Sequence, residues 1–289
     1  MGANLTVAIA AVLFSGLLGC GDYIEYADSP RAADEPVAAP ADCPFNPAST
    51  ELEYAALDAL LSRTVELDAD GNALVDYDRL ADEGRDTLEA VLVVMACADP
   101  QPGDLAFWLN AYNVSVLRAV IEARVAQPDF RPDDGGFAFF GQRVHAVAGM
   151  SLTLDEIEHA VIRGAPREAP AHADELAALH AQLWGDDTPD ARIHMAINCA
   201  ARSCPNLRVG AYLGEGLDAQ LTEATAAFLD NPIKGAGPRG ISSLFDWFGD
   251  DFAASAGSIS DFIETYRTGG LTDVDQDTFI EYDWALNGQ

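Results

Sequence analysis

Apolar residues recur at helical spacing through most of the chain after residue 45. Residues 50–66 predict a helix whose apolar face consists of Leu52, Ala55, Leu57, Leu60 and Leu61. A longer helix is predicted over residues 105–126, and further helices are predicted in a segment ending at residue 184 and near residues 216–229 and 254–268. This spacing is typical of a mainly helical domain.

A few segments have the shorter period of strands. Residues 144–147 predict a short strand, and Ile193, Met195 and Ile197 alternate with polar or small residues, which predicts a second strand over residues 191–198. Residues 280–286 are also strand-like. Since strands and helices do not alternate regularly, a doubly wound sheet is not expected. We expect an α+β fold, a mainly helical single domain over residues 45–289 around one small sheet that includes residues 144–147 and 193–198.

Two local signals refine this prediction. Thr153 and Glu156 have the spacing of a capping box, which predicts a helix running to about residue 163. Asn110 and Asn113 lie inside the predicted helix 105–126, where Asn has poor propensity. Buried amides must be hydrogen-bonded, so we expect these two side chains to bind a neighbouring loop or to line a cleft.

The N-terminal region has the pattern of an export signal. Residues 5–19 form an apolar run that is too short to cross a bilayer core of about 30 Å but suits a signal peptide. The run ends at Cys20 in a sequence that resembles the bacterial lipobox, so we expect Cys20 to be lipidated and to anchor the protein to a membrane of the cell envelope. An ordinary cleaved signal and an uncleaved anchor stay open, because no Lys or Arg precedes the run. Residues 21–44, rich in Ala, Pro and Asp, predict a flexible tether.

Charge excludes one class of partner. The chain has 47 acidic and 16 basic residues, a formal net charge of −31. Such a surface repels phosphate backbones, so no nucleic-acid partner is expected. The sequence contains no Gly-rich phosphate loop, and no cofactor is predicted.

Four segments together resemble a known family. They are FWLNAYN at 107–113, LTLDEIEHAVIR at 152–163, RIHMAINCAARSCPNL at 192–207 and SSLFDWFGDDF at 242–252. In this order and spacing they are similar to the domain of unknown function 547 family, over roughly residues 50 to 285. The resemblance implies a secreted protein or lipoprotein, as bacterial members often are. It implies no molecular activity.

Four cysteines remain after Cys20. They are Cys43, Cys97, Cys199 and Cys204, an even number, which in an oxidising compartment suggests two disulfides. The simplest pairing joins Cys43 to Cys97 and Cys199 to Cys204, although four cysteines allow three connectivities. A structural disulfide at Cys199 competes directly with a catalytic role for that residue.

Cys199 is also a candidate nucleophile. It follows the predicted strand at the start of a turn or helix, where backbone N–H groups lower a thiol pKa. The hypothesis makes His194 or His159 the base, Glu158 the group that orients it, and the backbone amides of residues 200–204 the oxyanion site. All five histidines precede Cys199, so the catalytic groups would follow a permuted order.

The remaining candidate residues are assigned to binding or to turns. Asn110, Asn113 and Tyr112 would contact polar groups of a substrate. No metal site is predicted, because Glu158 and His159 are adjacent on a helix and no HExxH or CxxC spacing occurs. The segment with Asp68, Asp70 and Asn72 lacks the closing Glu of a calcium loop and predicts a turn.

Two functions therefore remain open. The first is a Cys/His-dependent hydrolase or transferase of the cell envelope that acts on amide or peptide bonds. The second is a non-catalytic envelope domain that binds or scaffolds a partner and is held by structural disulfides.

Overall fold

The protein is described by a computed structural model that covers residues 43, 46–141, 144–167, 170 and 172–288. The predicted signal peptide, lipidation at Cys20 and nearly all of the predicted tether lie outside the described residues. Within the described part, no helix combines the length and the apolar character needed to cross a membrane.

Helices make up most of the domain, as the apolar periodicity predicted. The α-helices are α1 (Ala55–Thr64), α2 (Tyr77–Arg79), α3 (Arg85–Cys97), α4 (Leu105–Ala126), α5 (Asp134–Gly141), α6 (Ala173–Trp184), α7 (Leu217–Leu229), α8 (Leu244–Trp247), α9 (Gly249–Ala256) and α10 (Ile259–Tyr266). Two π-helices span Leu80–Gly84 and Glu156–Ile162, and two 3-10 helices span Ser49–Glu51 and Ala191–Met195. Left-handed residues at 135–137 interrupt α5.

The strands form three small sheets rather than the single sheet that was expected. β1 (Val65–Leu67) pairs antiparallel with β2 (Ala73–Val75), and β3 (Val144–Val147) pairs antiparallel with β4 (Met150–Thr153). In the third sheet, β6 (Gly240–Ser242) lies between β5 (Ala236–Gly237) and β7 (Phe279–Ile280) and runs parallel to β7. The α+β class and the mainly helical character are confirmed.

The predicted strand over residues 191–198 is wrong. Ala191–Met195 is a 3-10 helix, and the Asp190 side chain caps it by accepting the N–H of Arg192. Ile193 packs into the larger of two apolar cores, whereas Met195 packs into the smaller one. The alternation of apolar residues therefore records two cores on opposite sides of the segment, not the two faces of a strand.

Helix boundaries were predicted best where an apolar face and a cap agree. The longest helix, α4, has the predicted bounds and begins after Asp104, whose carboxylate accepts the N–H of Phe107. The predicted face of α1 is only partly right, because Ala55 is exposed. The predicted helix 254–268 is two helices, since Gly257 has φ 92° and Ser258 caps a new start.

The capping box forms as predicted but opens a different helix. Glu156 accepts the N–H of Thr153 at 2.9 Å, and the Thr153 hydroxyl accepts the N–H of Glu156 at 3.1 Å. The turns that follow are π-helical through Ile162. This wider helix packs against both α4 and α6, and π-helical turns are frequent at functional sites.

Two apolar cores organise the domain. The larger surrounds α4, which is buried over nearly its whole length, and the smaller contains residues from α7 to α10. The candidate site lies where residues of both cores meet.

Candidate functional site

Most of the predicted site residues line a single cleft. Its volume is about 720 Å³, which includes the space at its open mouth. Aromatic side chains contribute much of its lining, namely Tyr112, Phe137, Phe140, Trp247, Phe248, Tyr282 and Trp284. Its polar lining consists of Asp155, Glu158, His159, Arg167, His194, Cys199 and Cys204. A concave, largely apolar site with a few convergent polar groups is the usual form of a ligand-binding site.

Five predicted residues meet in this cleft although they come from four separate segments. Tyr112 comes from α4, and Glu158 and His159 come from the π-helix. His194 comes from the 3-10 helix, and Cys199 lies in the loop after it. Glu158 and His159 are adjacent in the chain, and both line the cleft.

Asn110 and Asn113 do not line this cleft. The Asn110 amide donates to the Tyr212 carbonyl and accepts the Tyr212 N–H, both at 2.8 Å. The Asn113 amide donates to the Ala196 carbonyl at 3.0 Å and accepts the Asn198 N–H at 2.9 Å. Their amides are thus consumed by backbone groups, so the predicted role in substrate binding is not supported. The alternative expectation, that they hold neighbouring loops, is confirmed.

The loop that carries Cys199 is held in an unusual conformation. Ala200 has φ 65° and is fully buried, and a non-glycine residue adopts this region at a cost. Asn198 closes the turn, because its amide accepts the Ala200 N–H at 3.0 Å and donates to the Pro205 carbonyl at 2.6 Å. Lys234, the only lysine, is buried and donates to the Cys204 carbonyl at 2.9 Å. These contacts strongly constrain the position of the Cys199 sulfur.

Only one of the two predicted disulfides is present. Cys43 and Cys97 are bonded, whereas Cys199 and Cys204 are free thiols. The Cys199 N–H donates to the Cys204 sulfur at 2.7 Å, so the two residues are neighbours without a covalent bond. Cys199 is half-buried and faces the cleft, whereas Cys204 is 4% exposed.

Local hydrogen bonds activate the Cys199 thiol. Burial raises its pKa, but hydrogen bonds from Cys204, from Tyr282 and from the Ala201 N–H outweigh burial and lower the pKa below its usual range. The Tyr282 hydroxyl lies 3.2 Å from the sulfur. Burial raises the pKa of Tyr282 well above its usual value, so this hydroxyl keeps its proton and can donate it. Cys199 lies in a loop and does not begin a helix, and the Ala201 N–H is the backbone donor among these three.

His194 is oriented by a carboxylate that the sequence hypothesis did not assign. Its Nε2 lies 2.8 Å from Oδ2 of Asp251, the third residue of α9, and Arg163 Nε donates to the same oxygen at 2.7 Å. Burial raises the pKa of Asp251, but the bonds from His194 and Arg163 bring it down to about 2. The ionised carboxylate accepts, so we assign the proton of neutral His194 to Nε2 and the lone pair to Nδ1.

His159 has the opposite arrangement. Arg163 Nη1 lies 2.8 Å from Nδ1 of His159, and a guanidinium can only donate, so this nitrogen is the acceptor. Burial, then the charges of Arg167 and Arg163, lower the pKa of His159 well below its usual value. The Nδ1 lone pair of His159 therefore already accepts a hydrogen bond, and the protonated form of His159 is disfavoured. Of the two predicted bases, His194 is therefore the more suitable.

The predicted oxyanion site is not formed by most of the proposed amides. Those of residues 200, 202, 203 and 204 donate to Asn198 Oδ1 and to the carbonyls of Ala285, Asp283 and Ala201, respectively. The amide of Ala201 points at the Cys199 sulfur. Tyr282 and Tyr112 are the phenolic donors that line the cleft, and Tyr112 is hydrogen-bonded to Glu158.

Three residues of this site received no role from the sequence, namely Arg163, Asp251 and Tyr282. Arg163 and Asp251 stand in two of the quoted family segments, so a signal for them was present. Tyr282 stands in none of these segments and is 83 residues from the thiol it contacts. Within the described residues, no cluster of three or more His, Cys, Asp or Glu side chains could hold a metal ion.

Comparison with known proteins confirms the resemblance over a shorter stretch than expected. Residues 100–229 match the family described as "Protein of unknown function, DUF547", and the chain resembles that family over this range. The matched range includes Cys199, His159 and His194 but does not include Asp251 and Tyr282. No curated protein and no solved structure matches the chain.

Proposed function

We propose that the protein is a cysteine-dependent hydrolase or transferase that acts on amide or peptide bonds, anchored to the cell envelope through a lipid on Cys20. One observation carries the catalytic part of this proposal. The hydrogen-bonded Cys199 thiol and the neutral His194 line the same cleft, and His194 Nε2 is bonded to the Asp251 carboxylate. A nucleophile, a base and a group that orients the base are the elements of covalent acyl transfer.

The roles follow from the hydrogen bonds. His194 is the base, because its Nδ1 lone pair is the one left uncommitted by Asp251. Asp251 orients His194, in place of the predicted Glu158. His194 and Cys199 share no direct hydrogen bond among the described residues, so the substrate-bound state must bring them within reach, as is common for catalytic contacts in unliganded sites.

The proposed reaction has two steps. His194 takes the thiol proton, the Cys199 sulfur attacks the carbonyl carbon, and the C–N bond breaks as the amine leaves with the proton from His194. The resulting thioester is then attacked by water, which gives a proton to His194, so a carboxylic acid is released and the thiol is restored. An amine or hydroxyl in place of water gives transfer instead of hydrolysis.

The test combines thiol reactivity with turnover of amide and ester libraries by the full chain in detergent. We expect iodoacetamide to alkylate Cys199 with an apparent pKa below about 8.5, the ordinary value of a free cysteine. Cys199→Ser and His194→Gln should each lower turnover by roughly 10³-fold or more. His172→Gln changes an exposed histidine outside the cleft and should leave turnover unchanged.

An inert Cys199, or a Cys199→Ser variant that processes every substrate at the wild-type rate, would contradict the proposal. Either result would favour the non-catalytic envelope binding domain.

A further inference from the structure

The charged side chains in and beside the cleft differ in the partners that they have. Arg163 is bound by Asp251, by His159 and by the ring of Phe248, whose centroid lies 4.6 Å from the guanidinium carbon. Arg167 faces Asp155 at 3.8 Å. Arg163, which lies beside the cleft lining, and Arg167, which is part of it, therefore each have an anionic or aromatic neighbour.

Glu158 is the exception among these groups. Its side chain is 13% exposed and lines the cleft. Within the described part of the chain, its ion-pair contact is with His159, at 3.7 Å from Nδ1. His159 is neutral, because burial lowers its pKa well below the usual value. Among the described residues this carboxylate has no paired Arg or Lys. It is hydrogen-bonded to Tyr112 and faces the cleft, where a cationic ligand would supply the charge partner that the described residues do not.

Aromatic side chains cover another part of the cleft. Trp247, Tyr282 and Trp284 form a cluster in which ring centroids lie 4.5 to 5.8 Å apart, and Phe137 lies 4.8 Å from Trp284. All four rings are only partly buried, so they contact the cleft space. The faces of Trp and Tyr rings attract ammonium and guanidinium groups, most strongly where water is excluded.

The field of the whole chain has the same sign. A formal charge of −31 concentrates cations near the surface and accelerates their encounter with a cleft. Glu158 also interacts electrostatically with the Cys199 sulfur, so a cation beside Glu158 would lie near the reacting carbonyl.

We propose that the cleft selects substrates with a positive charge next to the scissile carbonyl, such as an amide flanked by an ammonium or guanidinium group. Glu158 and the aromatic cluster bind the cation, and Cys199 attacks the carbonyl beside it. The inference rests on the proposed function for the reaction, but charge selection at Cys199 can be measured without turnover.

The test measures modification of Cys199 in the full chain by three methanethiosulfonates, which carry trimethylammonium-ethyl, methyl or sulfonatoethyl groups. The sulfur attacks the reagent, a mixed disulfide forms and methanesulfinate leaves. Peptide mass spectrometry identifies Cys199 as the modified residue. The modification rate constant for each reagent is divided by its rate constant with a small free thiol. We expect the cationic reagent to react about tenfold or more faster than the anionic one, by a ratio that falls as salt is added.

Glu158→Gln isolates the carboxylate from the field of the whole chain. We expect this variant to lower the cationic-to-methyl rate ratio about three- to tenfold, because one charge close to the sulfur is removed. The matched control Glu66→Gln, on the exposed side of β1, should keep the wild-type ratio. Equal rates for the cationic and anionic reagents, or a Glu158→Gln ratio equal to that of the wild type, would overturn the inference.

A second measurement needs no variant. Acetyl-arginine amide and the nearly isosteric neutral acetyl-citrulline amide are compared as protectants of Cys199 against the methyl reagent. Arginine amide should protect at a several-fold lower concentration, and equal protection would overturn the inference. Charge selection without any turnover would instead refute only the proposed function.

Discussion

Two sides of the cleft are built from different interactions. The histidine wall consists of His159 and His194 in the cleft lining and of Arg163 and Asp251, which bind them, and it is a largely buried network that contains full charges. The thiol wall, formed by Cys199, Cys204 and Tyr282, is joined by hydrogen bonds between thiol, hydroxyl and backbone groups. The first wall joins the π-helix region, the 3-10 helix and α9, whereas the second joins one loop to the C-terminal segment.

The two walls are vulnerable to different substitutions. A buried charge that loses its partner is expensive, so the histidine wall ties the geometry of His159 and His194 to the stability of the domain. Replacement of one hydroxyl in the thiol wall costs far less, but it acts directly on the Cys199 thiol. Substitutions in the first wall should therefore change stability, and those in the second should change thiol reactivity.

The largest effect is expected from Asp251→Asn. This change removes the anion that binds both Arg163, whose side chain is 6% exposed, and His194. We expect the free energy of unfolding to fall by roughly 2–4 kcal/mol in urea titrations at pH 7. The matched control is Asp250→Asn at the exposed neighbouring position, which should change stability by about 0.5 kcal/mol or less. Equal losses in the two variants would show that Asp251 does not hold the wall.

An intermediate effect is expected from acidification. Burial lowers the pKa values of His159 and His194, so the unfolded chain binds more protons than the folded chain just below pH 6.5. Their contribution to stability is complete above about pH 6.5 and is lost as the pH falls. We expect a loss of roughly 1 kcal/mol per histidine between pH 7.5 and 5.5.

The pH slope can be assigned by substitution. In urea titrations over the same pH range, His159→Gln should reduce the slope, whereas His172→Gln at an exposed position should leave it unchanged. A slope that is the same in wild type and His159→Gln would mean that the histidine wall is not the acid-sensitive part of the domain.

The smallest effect is expected from Tyr282→Phe in the thiol wall. Loss of the hydroxyl removes one donor to the Cys199 sulfur and raises the thiol pKa. We expect alkylation at pH 7 to slow roughly three- to tenfold, with the rate–pH profile moved upward and stability changed by about 1 kcal/mol or less. Tyr266→Phe, which removes a hydroxyl outside the cleft lining, should keep the wild-type profile. An unshifted rate–pH profile in Tyr282→Phe would show that the Tyr282 hydroxyl does not lower the pKa of Cys199.

Much of the fold could be predicted from local patterns. The bounds of α4, the strand over residues 144–147 and the Thr153–Glu156 box each depend on neighbours within a few residues, and each was predicted correctly. The segment 191–198 was not, because its apolar alternation came from contact with two cores that only the folded chain brings together. Local periodicity cannot distinguish that arrangement from a strand.

The candidate site divides in the same way. The available chemistry could be predicted from residue types, since Cys199, His194 and Glu158 were candidates in the sequence and all three line the cleft. The contacts of these residues could not be predicted, because they form between distant parts of the folded chain. Asp251, and not Glu158, is hydrogen-bonded to His194, and Arg163 donates to Nδ1 of His159. Tyr282, from the C-terminal segment, contacts the Cys199 sulfur. A pKa and a hydrogen bond depend on distances of a few ångströms between residues far apart in the chain, and those distances exist only after folding.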